Sequence, residues 1–214
     1  MSHPALAMWL ALLVAAPAAF ATAAPATPAP PAVERRIAIT IDDLPFASMG
    51  DAAAPPTLAQ FHPKLMAALK AGGAPVTGFV NEGKLAVGGR IDTARVHLLR
   101  DWLDAGATLG NHTQDHGDLH AIGLDEYQSQ ILRGETFLRP LLAERGQVPQ
   151  WFRHPYLRAG RTLEDKAALG AFLQEHGYRI APVTVDTSDW VWAAAYRKAL
   201  AAKDEAALAR LRAE

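Results

Sequence analysis

From residue 34 onward the chain repeats one unit: a short apolar run, then a stretch whose apolar residues recur at helical spacing. Arg36 to Ile41 reads as a first strand. Leu58, Phe61, Leu65 and Leu69 then share one face of a helix over Thr57 to Lys70. Pro75 to Val80 (PVTGFV) is a second strand, and Thr93 to Asp104 a second helix carrying Val96, Leu99 and Leu103. Ala107 to Leu109 begins a third strand, followed by one long helix over Leu124 to Arg145. Trp151 to Tyr156 is a fourth strand, and Leu163 to His176 a helix closed by Gly177. Tyr178 to Val185 is a fifth strand, and Val191 to Arg212 a last, Ala-rich helix. Strict strand–helix alternation predicts an α/β fold, a parallel sheet or barrel with right-handed crossovers.

The first thirty-odd residues break this pattern. Met8 to Phe20 (MWLALLVAAPAAF) is an apolar run too short to span a bilayer comfortably, and small residues follow it. Ala19-Phe20-Ala21 and Ala21-Thr22-Ala23 both fit an A-x-A cleavage site, although the segment before the run holds no Lys or Arg. Residues 1–23 are therefore expected to be a signal peptide, with a disordered Ala/Pro tail as the alternative. Residues 24–33 (APATPAPPAV) read as a semi-rigid, polyproline-like linker. A domain over 34–214, periplasmic or secreted, is expected to follow, with no stable membrane anchor once the leader is removed.

In folds of this class the chemistry sits in loops at the carboxyl ends of the strands. Strand one ends in Asp42-Asp43 and strand two in Asn81-Glu82. Strand three runs into GNHTQDHGDLH, strand four into Arg153-His154-Pro155-Tyr156, and strand five into DTSDW. Acids, histidines and an arginine thus gather at one end of the sheet.

Composition narrows what that end can do. The 214 residues are half hydrophobic, enough for one sizeable core. A formal net charge of −1 gives no electrostatic case for nucleic acid. No cysteine is present, which excludes a disulfide framework and a thiolate metal site. Any metal must be held by His and carboxylate.

His112, His116 and His120 are spaced by four, a spacing that solvated loop histidines also produce. The strand-end position favours ligand roles for His112 and His116 and a solvated role for His120. Two imidazoles plus one carboxylate leave coordination positions open, as catalytic rather than structural zinc sites do. Asp43 can supply the carboxylate. Asp42 can then remain a free base, and the cation would relieve the repulsion between the two acids. A bare Asp-Asp pair at a strand end otherwise reads as a turn or helix cap.

TIDDLP, NHTQDH, FRHPY and DTSDW occur in this order over residues 35 to 190. Together they resemble the first four motifs of the polysaccharide deacetylase (NodB-homology) family. The resemblance implies a distorted (β/α) barrel and metal-dependent hydrolysis of N-acetyl or O-acetyl groups on a polysaccharide. Carried over by position, Asp42 resembles the catalytic base, and Asp43, His112 and His116 the ligands of one divalent metal, zinc by preference. Arg153 looks like the residue that orients the base, and the backbone N–H of Tyr156 like an oxyanion donor. Asp189 and Trp190 resemble the fourth motif, in which the acid tunes a general-acid histidine and the indole lines the pocket.

Two departures qualify this. Ile41 and Leu44 stand where the family's first motif usually has an aromatic and a glycine, so Leu44 is expected to place an apolar wall near the metal. No histidine follows His176, whereas the family's fifth motif carries one resembling the general acid. Only about five β-α units are present, and the chain is expected to be C-terminally incomplete, with His154 as a possible substitute acid. Two rival readings remain: a glycan-binding domain without catalysis, and a related metal hydrolase acting on non-sugar amides.

Overall fold

The computed structural model describes residues 37–47 and 58–213; the expected leader and linker fall outside the described residues. Five parallel strands form one sheet: β1 (Ile39–Leu44), β2 (Val76–Val80), β5 (Thr108–Asn111), β6 (Trp151–Phe152) and β7 (Arg179–Ile180). A small antiparallel hairpin, β3 (Ala86–Val87) and β4 (Arg90–Ile91), lies outside it. Across the sheet the strands stand in chain order, β1-β2-β5-β6-β7. That winding in one direction is how a (β/α) barrel is built, whereas a doubly wound sheet reverses its order. Among the described strands the ring is open, with β1 and β7 at its edges.

Eight helices are described: α1 (Leu58–Gly72), α2 (Thr93–Asp104), α3 (Leu119–Ile122), α4 (Leu124–Arg133), α5 (Leu138–Ala143), α6 (Leu163–Glu175), α7 (Asp189–Ala202) and α8 (Glu205–Ala213). Helices α2 and α6 start where local chemistry sets them. The Asp92 carboxylate accepts the Ala94 N–H, and Thr162 with Asp165 forms a reciprocal capping box. The core falls into two clusters. Leu44, Val80, Leu99, Trp102, Leu109 and Leu142 fill the first, under β1, β2 and β5. Tyr127, Ile131, Phe152, Leu169, Leu173 and Tyr178 fill the second, under β6 and β7.

Several boundaries differ from the sequence expectation. The first strand runs Ile39–Leu44 rather than Arg36 to Ile41, so the two acids lie inside it. The fourth and fifth strands shrink to two residues each. The long third helix is two helices broken at Gly134. A Cβ on Gly134 would stand 3.0 Å from Asn111 Oδ1 and from the Gln114 nitrogen, so the break brings this turn against the histidine loop. The last helix is also two, parted at Lys203, whose φ is +53°.

Leu44 corrects another expectation. It is 3% exposed and belongs to the first core cluster, so it forms no wall beside a metal. It fits there because Gly78 faces it from β2, where a Cβ would collide with Leu44 Cδ1.

Candidate metal centre

The pairing of β1 with β2 explains how two adjacent acids end up at one site. Ile41 stands opposite Gly78 and Leu44 opposite Val80, so three residue steps on β1 meet two on β2. The extra residue makes a bulge that carries Asp42 and Asp43, with Asp43 at φ +68°. Left-handed backbone is uncommon for non-glycine residues, but Asp is among those that tolerate it. The bulge overrides the strand alternation that would send neighbouring side chains to opposite faces.

The histidines come from the loop after β5. Asn111, Thr113 and His116 shape it: Thr113 and His116 have φ values of +64° and +54°. Asn111 Oδ1 accepts the Thr113 N–H at 2.8 Å, and its amide donates to the Ile131 carbonyl at 2.8 Å. From β2, the Asn81 amide donates to the carbonyls of His112 (2.6 Å) and Thr113 (3.3 Å). Sequence reasoning assigned neither asparagine a role. Asn81 was visible only as a polar residue at a strand end.

These constraints bring one ligand atom each of Asp43, His112 and His116 within 4.8 Å of one another. The imidazoles of His112 and His116 meet edge to face at 4.9 Å. His112 Nδ1 lies 2.8 Å from the Arg153 carbonyl, an acceptor, so Nδ1 carries the proton and Nε2 keeps its lone pair for a ligand. Burial pushes the His112 pKa down to about 3 and also lowers that of His116, keeping both rings neutral as metal ligation requires. The donor set therefore fits a divalent cation. His120 stands apart in α3, its N–H capped by the Asp118 carboxylate at 3.0 Å.

Each acid has its own cation. Arg153, 3% exposed, donates from Nη1 to both Asp42 oxygens at 3.3 and 3.2 Å. Its other nitrogens are held by the Ala181 carbonyl (2.7 Å) and Thr40 Oγ1 (3.1 Å), and its guanidinium lies 4.7 Å over the Phe79 ring. Lys84 Nζ donates to the Asp43 carboxylate and to the Asp43 carbonyl, both at 3.1 Å. The repulsion within the pair is thus relieved by two side chains of the protein itself. Burial still raises the Asp42 pKa above its ordinary value, outweighing the lowering effect of Arg153. For Asp43 burial also raises, but Lys84, His116 and His112 together bring the net shift downward.

Around this cluster the remaining predicted residues are unevenly placed. Tyr156 sits in the turn Pro155–Leu157, with its ring edge-on to His116 at 4.5 Å. Asp189 begins α7 and lies near enough to Asp42 to raise its pKa slightly. Trp190 is 67% exposed. His154 points away from the acids: its Nδ1 faces the Tyr127 hydroxyl at 3.4 Å, its ring packs on Phe152, and burial lowers its pKa to about 4. That placement does not suit a substitute general acid.

Residues 29–180, well over half of the chain, match the family described as polysaccharide deacetylase. The chain belongs to that family. Among curated relatives, the peptidoglycan-N-acetylglucosamine deacetylase of Bacillus cereus is 32% identical over 94 residues, 44% of this chain and 31% of that protein. The match thus spans about a third of the relative's own length. Among solved structures, the chitin deacetylase of Colletotrichum lindemuthianum is similar with a TM-score of 0.52 and 27% identity, over 72% of this chain and 57% of that one. A CE4-family pseudoenzyme from Bacillus anthracis has a TM-score of 0.53 at 17% identity, over 73% and 46% of the two chains, and shares the fold. The family match ends before Asp189 and Trp190, while the bulge acids, both histidines and Arg153 fall inside it.

Proposed function

We propose that this polysaccharide deacetylase-family chain removes N- or O-acetyl groups from a polysaccharide, using one divalent metal, most suitably zinc, held by Asp43, His112 and His116. The observation that carries this reading is the convergence of those three ligand atoms within 4.8 Å, beside an Asp42 carboxylate gripped by Arg153. A metal in that position supplies Lewis acidity for an attacking water and for the acetyl carbonyl. Asp42 takes the proton from the attacking water, and its raised pKa brings it closer to the working range of a general base. Arg153 fixes the direction of the Asp42 carboxylate through two hydrogen bonds, and is itself anchored by two more to the Ala181 carbonyl and Thr40. The Tyr156 backbone N–H, in the turn beside His116, is proposed to hold the oxyanion, Asp189 to act electrostatically on Asp42, and Trp190 to contact the sugar.

The peptidoglycan and chitin relatives support an acetylated glycan as substrate. Together with the Met8 to Phe20 run, they support a periplasmic or secreted location. Among the described residues no helix is long and apolar enough to cross a membrane. The test is acetate release from an acetylated chitooligosaccharide and from an acetyl ester, with and without chelator. Release that chelation abolishes and zinc restores is expected; chelator-insensitive release overturns the metal assignment.

A second reading, glycan binding without turnover, is favoured by one observation. Among the described residues no further histidine joins the cluster, and His154 is turned into the core. The sugar amine leaves the tetrahedral intermediate slowly unless its nitrogen is protonated, and lack of a general acid typically costs ~10²–10⁴-fold. Glycan binding with no acetate released from either substrate would establish this second reading.

A further inference from the structure

Asp43 Oδ1 is claimed twice. It lies 3.6 Å from His116 Nε2, within the cluster that would hold a metal, and 3.1 Å from Lys84 Nζ. The same ammonium also grips the Asp43 carbonyl at 3.1 Å, so the left-handed residue is tethered at two atoms. Lys84 is delivered by the short 3-10 turn Glu82–Leu85 that follows β2, and its side chain is mostly buried. The Lys84 carbonyl in turn accepts Arg95 Nη1 at 2.8 Å, and the Gly83 N–H donates to the Gln114 carbonyl in the histidine loop at 2.8 Å. The turn carrying the ammonium is therefore fastened on both sides.

We propose that Lys84 tunes the metal site by competing with the metal for Asp43. This inference rests on the proposed ligand set. A carboxylate that donates charge to an ammonium is a weaker partner for a second cation, and a fixed positive charge beside a divalent ion is repelled by it. Lys84 keeps the acid pair compatible with folding and, in return, holds metal affinity below what Asp43, His112 and His116 would otherwise give. A carboxylate ligand with weakened donation also leaves a bound metal more electrophilic, which suits hydrolysis better than tight storage. Lys84 is thus a positioning residue acting through Asp43.

The test is zinc affinity of the full chain, by competition with a chromophoric chelator, for the parent, Lys84→Met, Lys84→Gln and Lys84→Arg. Lys84→Gln removes the charge and keeps an N–H donor on a shorter side chain, so it tests charge apart from loss of all hydrogen-bonding capacity and remains informative if Lys84→Met fails to fold. Both neutral variants should bind zinc on the order of tenfold more tightly, and Lys84→Arg should stay near the parent. A purely structural Lys84 would give the opposite sign, because a loosened Asp43 binds metal less well. Unchanged or weaker binding in folded Lys84→Gln overturns the proposal. Asp43→Ala distinguishes the two levels of the argument. If it binds zinc as the parent does, the ligand set itself is wrong, and the Lys84 proposal falls with it.

Discussion

The two ends of the sheet are built differently. On the β1–β2–β5 side the strands are four to six residues long, the acids ride on a bulge, and nearly every polar side chain near the site is held by a named partner. On the β6–β7 side the strands are two residues long. The helix after β7 exposes Trp190, Val191 and Trp192, and its buried residue Ala199 lies near its far end. The first region has the fixed geometry that metal ligation demands; the second has the exposure expected of a surface that meets something else. Chemistry that depends on sub-ångström placement belongs to the first, and contacts that tolerate adjustment belong to the second.

The sharpest way to break this comparison is at the histidine loop. His112→Ala should abolish zinc binding, a loss exceeding the ~10–100-fold that removal of an outer-shell partner typically costs. His116→Ala should do the same, whereas His120→Ala should leave metal content unchanged, because His120 is fixed in α3 outside the cluster. Metal analysis of the purified variants checks this. A zinc-free His120→Ala beside a zinc-replete His116→Ala would reverse the ligand assignment.

Why the first region could be read from the sequence follows from its signals being local. Helix α2 starts and ends where its periodicity predicts, and the strand-end rule led to Asp42, Asp43, His112 and His116. What escaped depends on contacts across many residues. Glu82 looked like one more acid at a strand end, yet its carboxylate accepts the N–H groups of Phe137 and Leu138. It thereby starts α5 where sequence periodicity continued a single helix. Lys84 carried no motif at all, since only the folded turn brings it to Asp43. Leu44 was misplaced because its fit depends on Gly78 in the neighbouring strand.

Glu82 gives a prediction of intermediate size that sharpens the same contrast. Burial lifts its pKa from 4.5 to about 7, against the opposing effect of the helix N–H groups. The folded state therefore binds a proton that the unfolded chain has lost between about pH 4.5 and 7. Its contribution to stability is full below the unfolded pKa, declines as pH rises through about 7, and is flat above. Glu82→Gln keeps an acceptor oxygen for Phe137 and Leu138 but cannot titrate. Denaturant unfolding at pH 5 and pH 8 should show the parent losing up to about 3 kcal/mol relative to the variant. Parallel pH profiles would mean that the Glu82 carboxyl keeps an ordinary pKa in its buried cap.

The smallest effect is expected at Trp190, and it bears most directly on the second region. A buried tryptophan replaced by alanine costs about 3–5 kcal/mol, whereas surface substitutions away from special features stay within about ±0.5 kcal/mol. With two-thirds of its surface exposed, Trp190 belongs to the second kind, and Trp190→Ala should leave the unfolding midpoint almost unmoved. Its effect should appear instead in glycan affinity, where an exposed indole offers a flat apolar face with a polar edge to a sugar ring. Isothermal titration with an acetylated chitooligosaccharide, set beside denaturant unfolding of the same protein, separates the two roles. Weakened binding at unchanged stability is the expected pair of results. A stability loss above 1 kcal/mol would show that α7 is anchored through Trp190, and the contrast between a closely held half carrying the proposed ligands and an open second half would no longer hold.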